Sequence, residues 1–419
     1  MSFSEWREVK LKEIIDFNPR ESLSKGEIAK KIPMENIEPF KKKISGFEEV
    51  EYKGGTKFRN GDTLLARITP SLENGKTAKV DILNEDEVAF GSTEFIVLRA
   101  KDNLTTEDYV YYLAISDYIR DIAIKSMTGT SGRQRAQTDV IEDTIITLPT
   151  LKEQKEIAYI LSTLDEKIEV NNRINKTLEE IAQAIFKHWF VDFEFPNEDG
   201  EPYKSSGGEM VNSELGPIPK GWEVTNIKEY SEFMANGGTP KRNNDKYWDK
   251  REVPWLKTTE ISDGLIIDAE EWISQEGFKN SSAKLFPIDT VLVAMYGVTA
   301  GKLGLLRFES TTNQACCGIT CSESKSPYYL YLFLRKNQNE LKSLARGSAQ
   351  QNLSKGVIER FNIILPMEEL LSKFHTISKS IFRQIENKKR MNTKLESIRD
   401  TLLPKLMSGE IRVPLDDEE

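Results

Sequence analysis

The side chains best suited to chemistry in this chain lie in two polar loops of similar composition. Gly129-Thr130-Ser131-Gly132-Arg133-Gln134-Arg135-Ala136-Gln137 aligns with Gly347-Ser348-Ala349-Gln350-Gln351-Asn352-Leu353-Ser354-Lys355, and each precedes the last strand pattern of its half. An arginine fork matches guanine O6 and N7, and a Gln or Asn amide matches adenine N6 and N7. Serine and threonine hydroxyls and glycine amides suit phosphate oxygens. Candidate contacts to nucleic acid are therefore Arg133, Gln134, Arg135 and Gln137 in the first loop, and Gln350, Gln351, Asn352 and Lys355 in the second. A further patch, Lys241-Arg242-Asn243-Asn244, follows Gly237-Gly238-Thr239-Pro240 and has a loose counterpart at Asn18-Pro19-Arg20. Arg67, Lys76, Tyr296, Lys302 and Arg346 complete the set. The plain alternative for these segments is a solvated polar surface.

Motifs for bond-making chemistry are missing. There is no G-x-G-x-x-G, and Gly75-Lys76-Thr77 has Pro70 where a phosphate-binding loop needs its leading glycine. His188 and His375 have no Cys, Asp or Ser at a recognised spacing, so no catalytic residue is assigned. Cys316, Cys317 and Cys321 form a CC-x3-C cluster without histidine, a poor zinc site. They read as reduced, mostly buried thiols of a strand, and no metal site is expected.

The elements that position the loops come in duplicate. Leu148-Pro149 recurs as Leu365-Pro366, 217 positions later (366 − 149), each after a Val-Ile-Glu and before a helical pattern. The same offset places Ile157 on Phe374, Ile160 on Ile377, Leu164 on Ile381 and Ile168 on Ile385. It continues with Ile174 on Met391, Leu178 on Leu395, Ile181 on Ile398 and Ile185 on Leu402. Steps of three and four make each series a coiled-coil stripe, and each stripe finds its only match in the other. Within them, Asn171-Asn172 and Lys388-Lys389 are either solvated stutters or a polar register lock. Strand patterns include Thr63 to Ile68, Glu94 to Leu98, Val291 to Tyr296 and Cys316 to Cys321. Two echoes extend the repeat: Trp6-Arg7-Glu8-Val9 with Trp222-Glu223-Val224, and Asp62-Thr63-Leu64-Leu65-Ala66 with Asp289-Thr290-Val291-Leu292-Val293.

These patterns predict an α+β chain with pseudo-two-fold symmetry. Mixed α/β segments at 1–150 and 217–366 are each followed by a long helix, 151–190 and 367–407, with a linker at 191–216 and an acidic tail at 408–419. Trp189, Phe190 and Phe193 read as a packing cluster at the end of the first helix. With 38% hydrophobic and 30% charged residues, no apolar run long enough to span a bilayer and no signal-peptide pattern at Met1 to Lys10, the expectation is a cytoplasmic protein. The 58 Lys and Arg against 67 Asp and Glu leave a net charge of −9, so any contact with DNA rests on local basic patches or on a partner's charge.

Taken in order, several motifs resemble those of the specificity subunit of type I restriction-modification systems. They are Leu148-Pro149 with Glu153-Gln154, Ile185-Phe186-Lys187-His188-Trp189-Phe190-Val191-Asp192-Phe193, and Gly216-Pro217-Ile218-Pro219-Lys220-Gly221-Trp222. Gly237-Gly238-Thr239-Pro240, Tyr247-Trp248, Val253-Pro254-Trp255-Leu256-Lys257-Thr258 and Asn313-Gln314-Ala315-Cys316-Cys317 follow. In the second half Gln154 is matched by Leu371, and the helix ends in Leu402-Leu403-Pro404-Lys405-Leu406, which fits an asymmetric duplication. The resemblance implies two target-recognition domains, each reading one half of a bipartite double-stranded DNA site. It also implies antiparallel helices packed through Ile157, Leu164, Ile168, Leu178 and Ile185 against Phe374, Ile381, Ile385, Leu395 and Leu402. Two methyltransferase subunits and two restriction subunits would be its partners. S-adenosylmethionine, ATP and Mg would reside on those partners, and none on this chain. The rival readings are a coiled-coil scaffold without a DNA role and a stand-alone methyltransferase.

Overall fold

A computed structural model describes residues 6–345 and 352–414. It forms two compact units, one of residues 1–169 with 392–419 and the other of residues 170–391.

In the first unit Arg7–Lys10 pairs antiparallel with Ile145–Leu148, and the helix Leu11–Ile14 follows directly. An antiparallel sheet runs in the order Ile15–Phe17, Phe95–Ala100, Thr63–Ala66, Thr77–Lys79. A second, of mixed direction, runs Glu48–Glu51, Ile28–Ile32, Ala89–Gly91, Thr56–Phe58. The helix Glu107–Ile115, capped by Thr106, belongs to the core formed with the first sheet.

The second unit repeats the plan. Glu223–Asn226 pairs with Asn362–Leu365, the helix Ile227–Tyr230 follows, and the helix Pro327–Lys336 is capped by Ser326. Its main sheet runs Phe233–Asn236, Cys316–Thr320, Val291–Ala294, Leu303–Leu306, Gly264–Ile266. A smaller sheet places Val253–Leu256 between Glu271–Ile273 and Thr311–Thr312.

Two sequence pairings slip by one residue in the structure. The Ala66 amide donates to the Lys76 carbonyl at 3.1 Å, and the Ala294 amide to that of Lys302 at 2.9 Å. Thr63–Ala66 therefore corresponds to Val291–Ala294, one position beyond the pairing read from Asp62 and Asp289. Every residue of both strands is buried, so no inside-outside alternation fixed their register in the sequence. The loops slip the other way. The Ala136 amide donates to the Arg67 carbonyl at 2.8 Å and the Leu353 amide to that of Met295 at 2.8 Å, matching Arg135 to Asn352 and not to Leu353.

The long helices run Leu151–Phe190 and Glu368–Ser408. The first begins in a capping box: the Thr150 amide donates to Glu153 at 3.1 Å, and the Glu153 amide to Thr150 Oγ1 at 3.3 Å. The second stops at Gly409, whose φ of 77° is the left-handed conformation that ends helices. Within the first unit, Asp165 pairs with Arg399, and the Ile168 carbonyl accepts from Asn392, so the helix segments there are antiparallel. Within the second, Phe190 packs edge-on against Phe374 with centroids 4.8 Å apart, and Ala182, Phe186, Ile381, Phe382 and Ile385 share the same core.

The buried face differs in part from the apolar stripe. Ile157, Phe374, Ile381 and Ile385 are buried, while Leu164, Ile168, Leu178, Ile185, Leu395 and Leu402 are half-buried. Ile181, Ile377, Met391 and Ile398, which belong to the same stripes, are exposed, and Asn171, Asn175, Ser378, Asn392 and Arg399 are buried instead. At 3.6 residues per turn a straight helix drifts away from a strict heptad, and side-chain type alone did not show which residues followed the seam. Asn171 is fully buried whereas Asn172 is exposed.

Candidate nucleic-acid interface

Each unit builds the same corner from the end of a fully buried strand, Thr63–Ala66 in one and Val291–Ala294 in the other. In the first, Ile68 bridges Arg135, and Arg135 in turn bridges Thr128. In the second, Tyr296 bridges Asn352. The polar loop is thus fixed to the strand end by backbone pairing, which gives its side chains a rigid base. Lys76 and Lys302 stand at equivalent places on the neighbouring strand, as the shared hydrogen-bond pattern requires.

The candidate side chains differ in what they can still offer. Arg133 is exposed on a turn in which its amide donates to the Thr130 carbonyl at 3.0 Å and Gly132 takes a φ of 76°. Gln134 is half-buried beside it, with its carbonyl accepting from the Thr69 amide. Arg135 is committed to its own unit: Nε and Nη2 both donate to Glu94, at 2.6 to 3.0 Å, and Nη1 approaches the Arg133 carbonyl at 3.4 Å. Gln137 donates to Thr128 Oγ1 at 2.7 Å, Lys76 to the Met34 carbonyl at 2.9 Å, and Arg67 to the Ala136 carbonyl at 3.2 Å. Burial leaves the Arg67 Nε without an acceptor among the described residues. Arg67, Lys76, Arg135 and Gln137 therefore shape the corner, and Arg133 projects from it.

In the second unit Tyr296 is 40% exposed and Asn352 is exposed, Lys302 is half-buried, and Lys355 pairs with Glu359 at 3.2 Å. Arg346, Gln350 and Gln351 lie outside the described residues. Lys241 and Asn243 are exposed. Arg242 sits 3.7 Å from the Trp248 ring centroid and 4.6 Å from that of Trp255, and donates to Glu271 at 2.6 Å. This patch follows Phe233–Asn236 as Asn18-Pro19-Arg20 follows Ile15–Phe17, and both strands occupy the same edge of their sheets.

Sequence reading missed the carboxylates Glu94 and Glu271, because each is far along the chain from the arginine it holds and no local spacing links them. The cysteines are free; Cys316 and Cys317 are buried in their strand, and Cys321 lies just past it. Burial pushes the Cys317 and Cys321 thiols up to about 12, so they stay protonated at neutral pH. His375 packs on Tyr328 with its pKa lowered by burial and by Lys379, and His188 is exposed. Among the described residues, no group of three or more His, Cys, Asp or Glu could hold a metal ion, and no helix is long and apolar enough to cross a membrane.

Each mixed segment is followed by a long helix, and in each a residue of the polar segment, Arg135 or Asn352, bridges the end of an equivalent strand. The chain matches the type I restriction modification DNA specificity domain over residues 3–180 and again over 219–397, and it belongs to that family. It is 30% identical over 322 residues to the specificity subunit of the type I restriction enzyme MjaIX of Methanocaldococcus jannaschii, an alignment covering 75% of this chain and 71% of that one. The HindI specificity subunit of Haemophilus influenzae is 27% identical over 425 residues, covering 88% and 90% of the two chains. Among solved structures, the S subunit of a type I restriction-modification system from M. genitalium aligns with a TM-score of 0.59 at 15% identity, over 97% of this chain and 96% of that one. That likeness is one of fold.

Proposed function

We propose that this chain reads a bipartite DNA sequence for a type I restriction-modification complex in the cytoplasm, with residues 1–150 and 217–366 each recognising one half-site. The observation that carries the reading is the corner built twice on equivalent strands and furnished with different side chains, Arg133 and Gln134 in one unit and Asn352 and Tyr296 in the other. Equivalent scaffolds with unlike loops suit a protein that must hold one geometry while reading two sequences. Base contacts specify and phosphate contacts position, and the mixed polar kit at each corner supports both.

Methylation and cleavage are assigned to partners, two methyltransferase subunits carrying S-adenosylmethionine and two restriction subunits using ATP and Mg. No catalytic step is assigned to this chain. With a net charge of −9 it is a poor ligand for a polyanion on its own, since phosphate neutralisation dominates affinity. The test is DNA binding by the chain alone and in complex with its methyltransferase subunits, followed by mapping of methylated adenines. The complex is expected to bind tightly and to methylate one bipartite sequence, and the lone chain to bind weakly. Tight, site-specific binding by the lone chain would refute the charge argument; a complex that methylates without sequence preference would refute the function.

A further inference from the structure

Arg242 is the centre of a cage whose parts come from three separate stretches of the second unit. Trp248 and Trp255 meet at right angles with centroids 5.1 Å apart, and the guanidinium lies over both. Their indole N–H groups donate to the backbone leading to Arg242: Trp255 to the Gly238 carbonyl at 2.9 Å and Trp248 to the Lys241 carbonyl at 3.2 Å. Glu271 lies opposite Trp255 in the paired strands, accepts from Arg242 Nη1, and is braced by Lys257 at 3.0 Å. The same tryptophans and carboxylate therefore fix both the loop and the side chain. Even so, the Arg242 side chain remains 50% exposed.

A guanidinium has a flat face and five N–H donors around its edge. Stacking on Trp248 uses the face, and the ion pair uses Nη1. Guanine recognition needs two parallel donors at the edge, held in one orientation. Arg135 makes the contrast: its side chain is also exposed, but Glu94 takes its Nε and Nη2 together, so that this edge of the fork is already occupied. Holding Arg242 in place before DNA arrives lowers the rotamer entropy lost on binding. Glu271 also offsets the charge of Arg242, so a site that offers the arginine no edge acceptor gains little from that charge alone.

We infer that Arg242 reads a guanine in one half of the target and that Glu271, with Trp248 and Trp255, is its positioning residue; this rests on the DNA-reading function proposed above.

The experiment uses the complex of this chain with its methyltransferase subunits and a DNA library randomised across both half-sites, sequenced after methylation. The wild-type complex is expected to require guanine at a fixed place in one half-site. In Arg242→Lys and in Glu271→Gln complexes, preference for that guanine should fall about tenfold, the scale of one lost bidentate contact, while the other half-site is still read. Glu271→Gln should also bind non-cognate DNA more tightly, since a carboxylate near the phosphates has gone. Unchanged selection by Arg242→Lys would overturn the assignment of the reader. A guanine lost in Arg242→Lys but kept in Glu271→Gln would overturn the positioning role, as would an equal loss of preference at every position in both half-sites. A wild-type complex that selects no sequence would instead remove the DNA-reading function itself, and this inference with it.

Discussion

Replacing Glu153 by alanine should weaken the first unit by about 2 to 4 kcal/mol, a figure built from what its carboxylate holds. The side chain is 1% exposed. It accepts from the Trp6 indole at 3.2 Å, from the Thr150 amide at 3.1 Å and hydroxyl at 3.0 Å, and from Arg412 Nε at 3.1 Å. Loss of the capping box alone costs about 1 kcal/mol. Hydrogen bonds to a charged group contribute about 1.5 to 3 kcal/mol each when taken singly, and they do not add in full. Arg412 is 22% exposed and partly rehydrates, which keeps the total below that of a fully buried broken pair. Glu153→Gln, which preserves shape and one of the two acceptor oxygens but neither the charge nor the second acceptor, should lose roughly half as much.

The measurement is urea unfolding, read together with hydrogen exchange of the segments around Trp6 and Arg412. Acid supplies a second arm. Burial raises the Glu153 carboxyl, but Arg412, Trp6 and Thr150 outweigh it and hold the folded-state pKa below the ordinary 4.5. Its charge-dependent stabilisation is therefore fully present above about pH 4.5 and is lost as pH falls through the folded value. The wild-type advantage over Glu153→Gln should shrink below pH 4.5. An alanine variant with an unchanged urea midpoint, or a glutamine variant whose deficit stays constant on acidification, would refute this account.

Arg133→Ala should cost about 1 to 3 kcal/mol at one base position of one half-site, and Asn352→Ala should do the same in the other; unchanged methylation selectivity in both would mean that these loops do not read DNA. Arg399→Ala leaves Asp165, which also accepts from Tyr112 at 2.6 Å, without its charged partner and should destabilise the first unit by about 3 to 5 kcal/mol. A combined Arg399→Ala and Asp165→Ala variant that recovers nothing in urea unfolding would argue against the pair as the cause. Four residues inserted after Lys176 lengthen the continuous helix by about 6 Å, close to two base pairs of DNA. Such a complex should either fail to assemble or methylate the same half-sites at a longer spacing, and an active complex with unchanged spacing would disprove the helix as the ruler.

What the sequence displayed most clearly was whatever repeats along one face of one element. The central helix was legible over 151–190 because Leu148-Pro149 precedes it and its apolar residues recur at threes and fours, while the Thr150–Glu153 cap that starts it emerged only in the structure. Register was not legible in Thr63–Ala66 or Val291–Ala294, whose residues are buried on both faces, and there the pairing slipped by one. Contacts between distant segments were also hidden: Glu94 occupies both Nε and Nη2 of Arg135 whereas Glu271 takes only Nη1 of Arg242, yet neither carboxylate announces itself near its arginine.

The duplication shows the same limit from another side. Trp6 and Trp222 match in sequence and each immediately precedes an equivalent short strand, Arg7–Lys10 or Glu223–Asn226. Trp6 donates to Glu153, whereas Leu370 stands at the equivalent place in the second half, and the Trp222 indole N–H is buried with no acceptor among the described residues. Phe190, Phe193 and Phe195 pack around that ring instead. One tryptophan is therefore held by the charged cap at the start of a long helix, and the other by rings at and just beyond the end of one. Because an unpaired buried N–H costs free energy that ring packing must offset, the two halves can share a fold without sharing tolerance to substitution: the same tryptophan should be sensitive to charge in the first unit and to volume in the second.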